Sequence, residues 1–221
     1  MSAYMKPRKT SFRLNGLKCT SRDQKTQVLD EIMNRVREKK KLKAAHLNSV
    51  PWSDSVFIFS DPEVKVHHLS DLPCHKDGLI HFQSLSSTLP PFCLGPEKGD
   101  RILDMCAAPG GKTLQLLAMV GEEGQVFGND VDSTRIPRLH RNIASLVPPG
   151  IMKERIQVRV ADARKLMIWE NANEVPLQQR DKTFSRPFDA ILLDAPCSGE
   201  GSINLGEPTS YRHWSPASVC N

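Results

Sequence analysis

Long apolar runs are missing from this sequence, and so are paired cysteines. No stretch of its 221 residues approaches the roughly 20 consecutive apolar residues that a membrane-spanning helix requires, so no membrane partner is expected. The N-terminus lacks the charged start and apolar run of a secretory signal. No acid precedes Asp23, a composition shared with mitochondrial targeting segments. The expected setting is therefore intracellular: nucleus or cytoplasm, with the mitochondrion as an alternative. The six cysteines (Cys19, Cys74, Cys93, Cys106, Cys197, Cys220) form no Cys-x-x-Cys pair. That argues against a zinc site or a disulfide framework and for a reducing compartment, and no metal is expected.

What is present is ordinary for a soluble globular chain: 25% charged and 39% hydrophobic residues. The net charge is +5, compatible with a polyanionic partner. Much of the excess lies early, in Lys6, Arg8, Lys9, Arg13 and Lys18, then Arg35, Arg37, Lys39, Lys40, Lys41 and Lys43. Such a run equally suits a solvated helix end, where cations complement the dipole.

The first part, residues 1–75, reads as a small α/β module. Thr10–Asn15 alternates polar and apolar residues like a half-buried strand. Ser21 and Gln24 can form a capping box, after which Val28, Leu29, Ile32, Met33 and Val36 share a helical face. Val56–Phe59 is a second strand, and residues 61–77, broken by Pro62, Pro73 and Gly78, read as a connector.

Residues 76–221 have a different rhythm. Strands are expected at Arg101–Met105, Gln125–Asp130, Ile156–Val160 and Phe188–Asp194, with helices from Lys112 and through Arg138–Leu146. Pro137 falls in a first helical turn, where its missing amide hydrogen does no harm. Alternating strands and helices predict a doubly wound parallel sheet. The last strand, nearly all apolar, is expected to be central, and residues 164–187 read as an inserted loop or short helix.

In such a sheet ligands bind beyond the carboxyl ends of the strands. Four features fall there: Cys106-Ala107-Ala108-Pro109-Gly110-Gly111-Lys112, then Asp130, Asp162 and Asp194. Small residues let backbone amides approach a ligand, and an acid after the second strand can accept hydrogen bonds from a ribose. Each acid can equally be a helix cap. Gly111-Lys112-Thr113 resembles the end of a P-loop, but its leading glycine would have to be Cys106; no Gly-x-Gly-x-x-Gly follows the first strand. An adenosine-containing cofactor other than a nucleotide polyphosphate fits better. Asp194-Ala195-Pro196-Cys197-Ser198-Gly199 then sets a thiol on a shaped loop beside that cofactor region.

The segments Asp104–Thr113 and Leu193–Gly199 resemble the paired signatures of the Sun-type (RsmB-like) RNA 5-methylcytosine methyltransferases, and Thr10–Asn15 and Gly78–Gln83 resemble two further segments of that family. The resemblance implies a class I S-adenosylmethionine-dependent methyltransferase fold behind an RNA-binding module, acting on tRNA or ribosomal RNA. It implies that Cys106, Ala107, Ala108, Pro109, Gly110, Gly111 and Lys112 form the cofactor loop. Asp130 would hold the ribose, Asp162 would lie near the adenine, and Asp194 near the reacting groups. Cys197 matches the cysteine that helps release product. C5 of cytosine becomes nucleophilic only once a thiolate adds to C6, and removal of the C5 proton and the thiol then needs acid–base groups. In this family the attacking thiol belongs to a later Thr-Cys. None follows Cys197, and Cys220 has other neighbours. The expectation is a chain whose methyltransferase domain is incomplete at its C-terminal end, with a catalytically silent RNA-binding protein as the alternative.

Overall fold

The computed structural model describes residues 7–42, 44–165 and 187–197. The first strand, β1 (Ser11–Leu14), is buried on both faces rather than half-buried as its alternation suggested. Phe12 and Leu14 enter one core, while Ser11 and Arg13 on the other face are also covered. Helix α1 (Arg22–Glu38) begins with the expected capping box between Ser21 and Gln24. Its buried stripe, Val28, Ile32 and Val36, packs into the same core as Phe12 and Leu14.

Strands β2 (Leu47–Val50) and β3 (Ser53–Phe59) form an antiparallel pair. The connector is more structured than its breakers implied. Val64, Leu69, Leu72 and Cys74 are buried in the first core, and Pro73–Lys76 makes a one-turn helix, α2. Strand β4 (Ile80–Phe82) then pairs antiparallel with β1, setting Arg13 opposite His81. The first sheet has the order β2-β3-β1-β4, and its last strand ends at Phe82.

Helix α3 (Leu85–Leu94), capped by Ser84, leads into the second sheet. Strand β5 (Arg101–Asp104) is followed by α4 (Gly111–Met119), β6 (Gln125–Asp130), α5 (Ile136–Leu146), α6 (Pro149–Arg155), β7 (Ile156–Val160) and β8 (Ala190–Leu192). All pairs are parallel, in the order β7-β6-β5-β8. Pro137 lies in the first turn of α5, as expected. Leu114, Leu116 and Leu117 of α4 and Leu139, Ile143 and Leu146 of α5 close over Ile102, Val126 and Ile156.

Strand β8 is not central among the described residues. It pairs only with β5, and Ile191 and Leu193 are 40% and 64% exposed. An apolar strand predicts two covered faces, but here only Leu192 is buried. Most of the expected insertion (166–186), the basic start (1–6), Ser198, Gly199 and Cys220 lie outside the described residues. No helix among the described residues is long and apolar enough to cross a membrane.

The two sheets are joined by buried polar contacts. Asn15 Nδ2 donates to Gly78 O and to Leu146 O, each at 2.7 Å. Gln83, just past β4, accepts from Arg13 Nε at 3.5 Å and donates from Nε2 to Gln115 Oε1 of α4 at 3.2 Å.

Candidate active site

The strand ends of the parallel sheet and the end of β4 surround a cavity of about 920 Å³. Cys106, Ala107, Ala108, Pro109, Gly111, Lys112, Asp194 and Cys197 all line it, so most of the residues singled out in the sequence converge on one space. Gly110 sits just behind, as the N-cap of α4 with φ +107°. A Cβ there would meet Leu139 Cδ1 at 2.6 Å, so this turn is closed to side chains.

Asp130 is buried beneath the loop after β5 rather than on the cavity wall. Its carboxylate accepts from the amides of Ala108 and Asp132, both at 3.0 Å, and pairs with the Arg135 guanidinium at 3.2 Å. Arg135 also donates to Ala108 O. One carboxylate thus fixes both the loop after β5 and the turn after β6, which presents Val131, Asp132 and Arg135 to the cavity. Asp162 is not among the lining residues. Arg164 holds it through Nε at 2.9 Å and Nη2 at 2.7 Å, which keeps its carboxyl down at about 2.

Lys112 Nζ reaches Asp194 Oδ2 at 2.5 Å, joining the first turn of α4 to the loop after β8. The two thiols of the cavity differ. Burial, then the neighbouring carboxylates Asp130 and Asp104, push the half-buried Cys106 thiol up, which suits packing rather than attack. Cys197 is exposed on the loop beyond Asp194.

Asp104, at the end of β5, is almost fully buried. Its Oδ2 lies 2.7 Å from the Thr113 hydroxyl and its Oδ1 accepts from the Cys106 amide at 3.4 Å. Burial lifts its carboxyl to about 6, against those hydrogen bonds. A raised acid binds its proton more tightly folded than unfolded. The stability it contributes is full below about pH 4 and falls as pH rises through about 6, by up to about 3 kcal/mol. Asp104→Asn keeps the shape without the charge. In urea denaturation between pH 4 and 7 the stability difference, variant minus wild type, is expected to grow across that window and then level off. A constant difference would contradict the assignment. His81, lowered to about 4 by burial and then by Arg13 and His75, acts in the opposite direction in both proteins and cancels.

Sequence reasoning assigned no role to His81, Gln83 and Ser87 around the start of α3, or to Arg135, Arg138 and Asn142 of α5, all of which line the cavity. A signal existed for the second set: these three polar residues follow the three-then-four spacing of one helical face, flanking the buried row Leu139, Ile143 and Leu146. Among the described residues no group of three or more His, Cys, Asp or Glu side chains is arranged to hold a metal.

Residues 91–211 match the family model described as 16S rRNA methyltransferase RsmB/F. The chain belongs to that family. The resemblance read from the loop motifs is thereby borne out. Among curated relatives, the ribosomal RNA small subunit methyltransferase F of Shewanella loihica is 31% identical over 225 residues, and that of Vibrio parahaemolyticus is 33% identical over 226. In both comparisons 99% of this chain is covered but only 39% of the relative, so the RsmB/F-family chain spans about two fifths of their length. Among solved structures, a methyltransferase homolog protein from Pyrococcus horikoshii is 30% identical, with a TM-score of 0.63 over 91% of this chain and 55% of that one. NSun6 from Pyrococcus horikoshii, solved with SFG, is 19% identical with a TM-score of 0.61 over 89% of this chain and 65% of that one. The fold is therefore the class I methyltransferase fold expected from the sequence, its parallel sheet carried behind the antiparallel one.

Proposed function

We propose that this chain binds S-adenosylmethionine in the 920 Å³ cavity and takes part in methyl transfer to C5 of cytosine in RNA. The observation that carries the reading is the convergence of the small-residue loop at Cys106–Lys112, the Lys112–Asp194 pair and the Cys197 thiol on one space. The residues fit the cofactor. Val131, exposed and apolar on the wall, offers a flat surface to an adenine, and the turn held by Asp130 presents Asp132 and Arg135 to ribose hydroxyls. Asp162 would have to leave Arg164 to reach a ligand.

The cofactor supplies an electrophilic methyl on sulfur. The residues present do the rest of what this chain contributes. Lys112 offers donors and Asp194 acceptors side by side, complementary to the acceptor and amino groups on a cytosine edge. Cys197 stands where a thiol can act in proton removal and product release after C5 is methylated. Of tRNA and ribosomal RNA, the names of the relatives favour ribosomal RNA.

A second reading, binding without methylation, draws on the unfavourable state of the Cys106 thiol, which burial and the carboxylates around it push up. Two measurements separate them. Calorimetry is expected to show one site for S-adenosylmethionine, and a folded sample with no affinity for it would overturn the cofactor assignment. Incorporation of labelled methyl into cytosine-containing RNA, reduced in Cys197→Ala, would support catalysis; cofactor binding without incorporation would leave the binding-only reading.

A further inference from the structure

A second cavity, of about 340 Å³, opens where α2, β4 and α5 meet. It shares His81, Phe82 and Asn142 with the larger one, so the two adjoin. Its lining includes His75, Lys76 and Ser145 and no carboxylate. Of the nearby acids, Asp71 is engaged by Arg35 at 2.8 Å, and Asp77, next to Lys76, is exposed outside the lining. Lys18 adds an ammonium at the margin, held on the carbonyls of Ser145 at 2.6 Å and Asp77 at 2.8 Å.

A further observation concerns β1, the strand paired with β4. Arg13 is 4% exposed and faces His81 across the β1–β4 pair. Among the described residues it has no carboxylate partner. Its hydrogen bonds go to Gln83 Oε1 and Leu14 O, both long at 3.5 Å. Burial lowers it only to about 10, so it remains a cation at neutral pH. A buried charge without a counterion is costly, and an anion brought close lessens that cost. His81, opposite it on β4, is a titratable group that feels this charge, and it is not an acid.

We propose that this second cavity receives the nucleotide adjoining the target cytosine, its phosphodiester beside Lys76 and one strand away from the Arg13 charge, its base against the His75–Phe82 ring pair. The two rings lie 5.0 Å apart between centroids and present an aromatic surface to a base. Asn142, whose amide holds Pro109 O of the cofactor loop at 2.7 Å, stands between the two bound nucleotides. The inference rests on the RNA reading above and assigns that substrate a place on this chain.

Lys76 is exposed, so its substitution leaves the fold intact. Fluorescence anisotropy with a labelled, single-stranded, cytosine-containing RNA tests the proposal on the full chain. Lys76→Glu is expected to weaken binding by about fivefold or more and to lower the slope of log affinity against log salt by about one. Lys76→Arg should bind like wild type. Lys98→Glu, the same charge change at an exposed lysine outside the groove, should alter affinity less than about twofold, as only the long-range field changes. Calorimetric affinity for S-adenosylmethionine should be the same in all four proteins. If Lys76→Glu binds RNA as wild type does, or no worse than Lys98→Glu, the groove assignment is overturned while the RNA reading stands. If wild type binds the cofactor but no RNA, the RNA reading falls and the groove with it.

Discussion

Asp130→Ala is expected to abolish cofactor binding and to lower stability by about 2–4 kcal/mol, because it leaves the Ala108 and Asp132 amides without an acceptor and the Arg135 guanidinium without its counterion. The lower half of that range allows for Arg135 being partly in water. For a chain of this size the thermal midpoint should drop by about 5–15 °C. Asp130→Asn retains one acceptor oxygen but turns an NH2 toward the second amide, so it should lie between alanine and wild type. Thermal unfolding and cofactor calorimetry on the three proteins check the ranking. Wild-type affinity in Asp130→Ala would mean that the loop after β5 holds its shape unaided.

The second large effect is expected at Gly110. Any side chain there must adopt φ near +107° and place its Cβ against a fully buried leucine. Backbone strain and overpacking together are expected to cost Gly110→Ala about 2–5 kcal/mol. Removing the obstacle separates the two contributions. In Gly110→Ala combined with Leu139→Ala, the loss should be smaller than the sum of the single losses, since the new methyl occupies part of the space vacated. Additive losses in denaturant titrations would assign the whole cost to the backbone and none to Leu139.

The parts of the fold legible in the sequence were those where one physical rule dominated. The stripe Val28, Ile32, Val36 and the strands Gln125–Asp130 and Ile156–Val160 follow periodicity, and each lies where it was expected. Elements governed by context were missed. Leu47–Val50 alternates poorly and lies at a sheet edge with two exposed residues, so its pairing with β3 left no pattern. Helix α3 contains Pro90 and Pro91, residues that disfavour a helix interior, yet its cap at Ser84 and left-handed end at Gly95 are regular. The alternation in β1 announced one buried face; the burial of Arg13 depends on a second sheet that no local pattern encodes.

The site divides the same way. The loop from Cys106 to Lys112 and the pair Asp194 and Cys197 were readable because position at a strand end places them. The arrangement of the carboxylates was not. Asp130 and Asp162 occupy equivalent sequence contexts, but one is enclosed by two amides and Arg135 while the other is taken by the arginine two residues on. His81 and Gln83 reach the cavity only because β4 completes the front sheet at that edge.

The seam between the sheets has a consequence for how a polymer meets this surface. Asn15 grips a carbonyl on each side of it, and Gln83 spans from β4 to α4. Neither sheet is free to swing against the other without breaking buried hydrogen bonds. The separation between the front sheet and the pocket behind it is therefore set once, when the chain folds. Under the proposed methyl transfer, alignment of the two reactants would then draw little on the energy of their encounter, and a loosened seam would lower the catalytic rate before it lowered affinity.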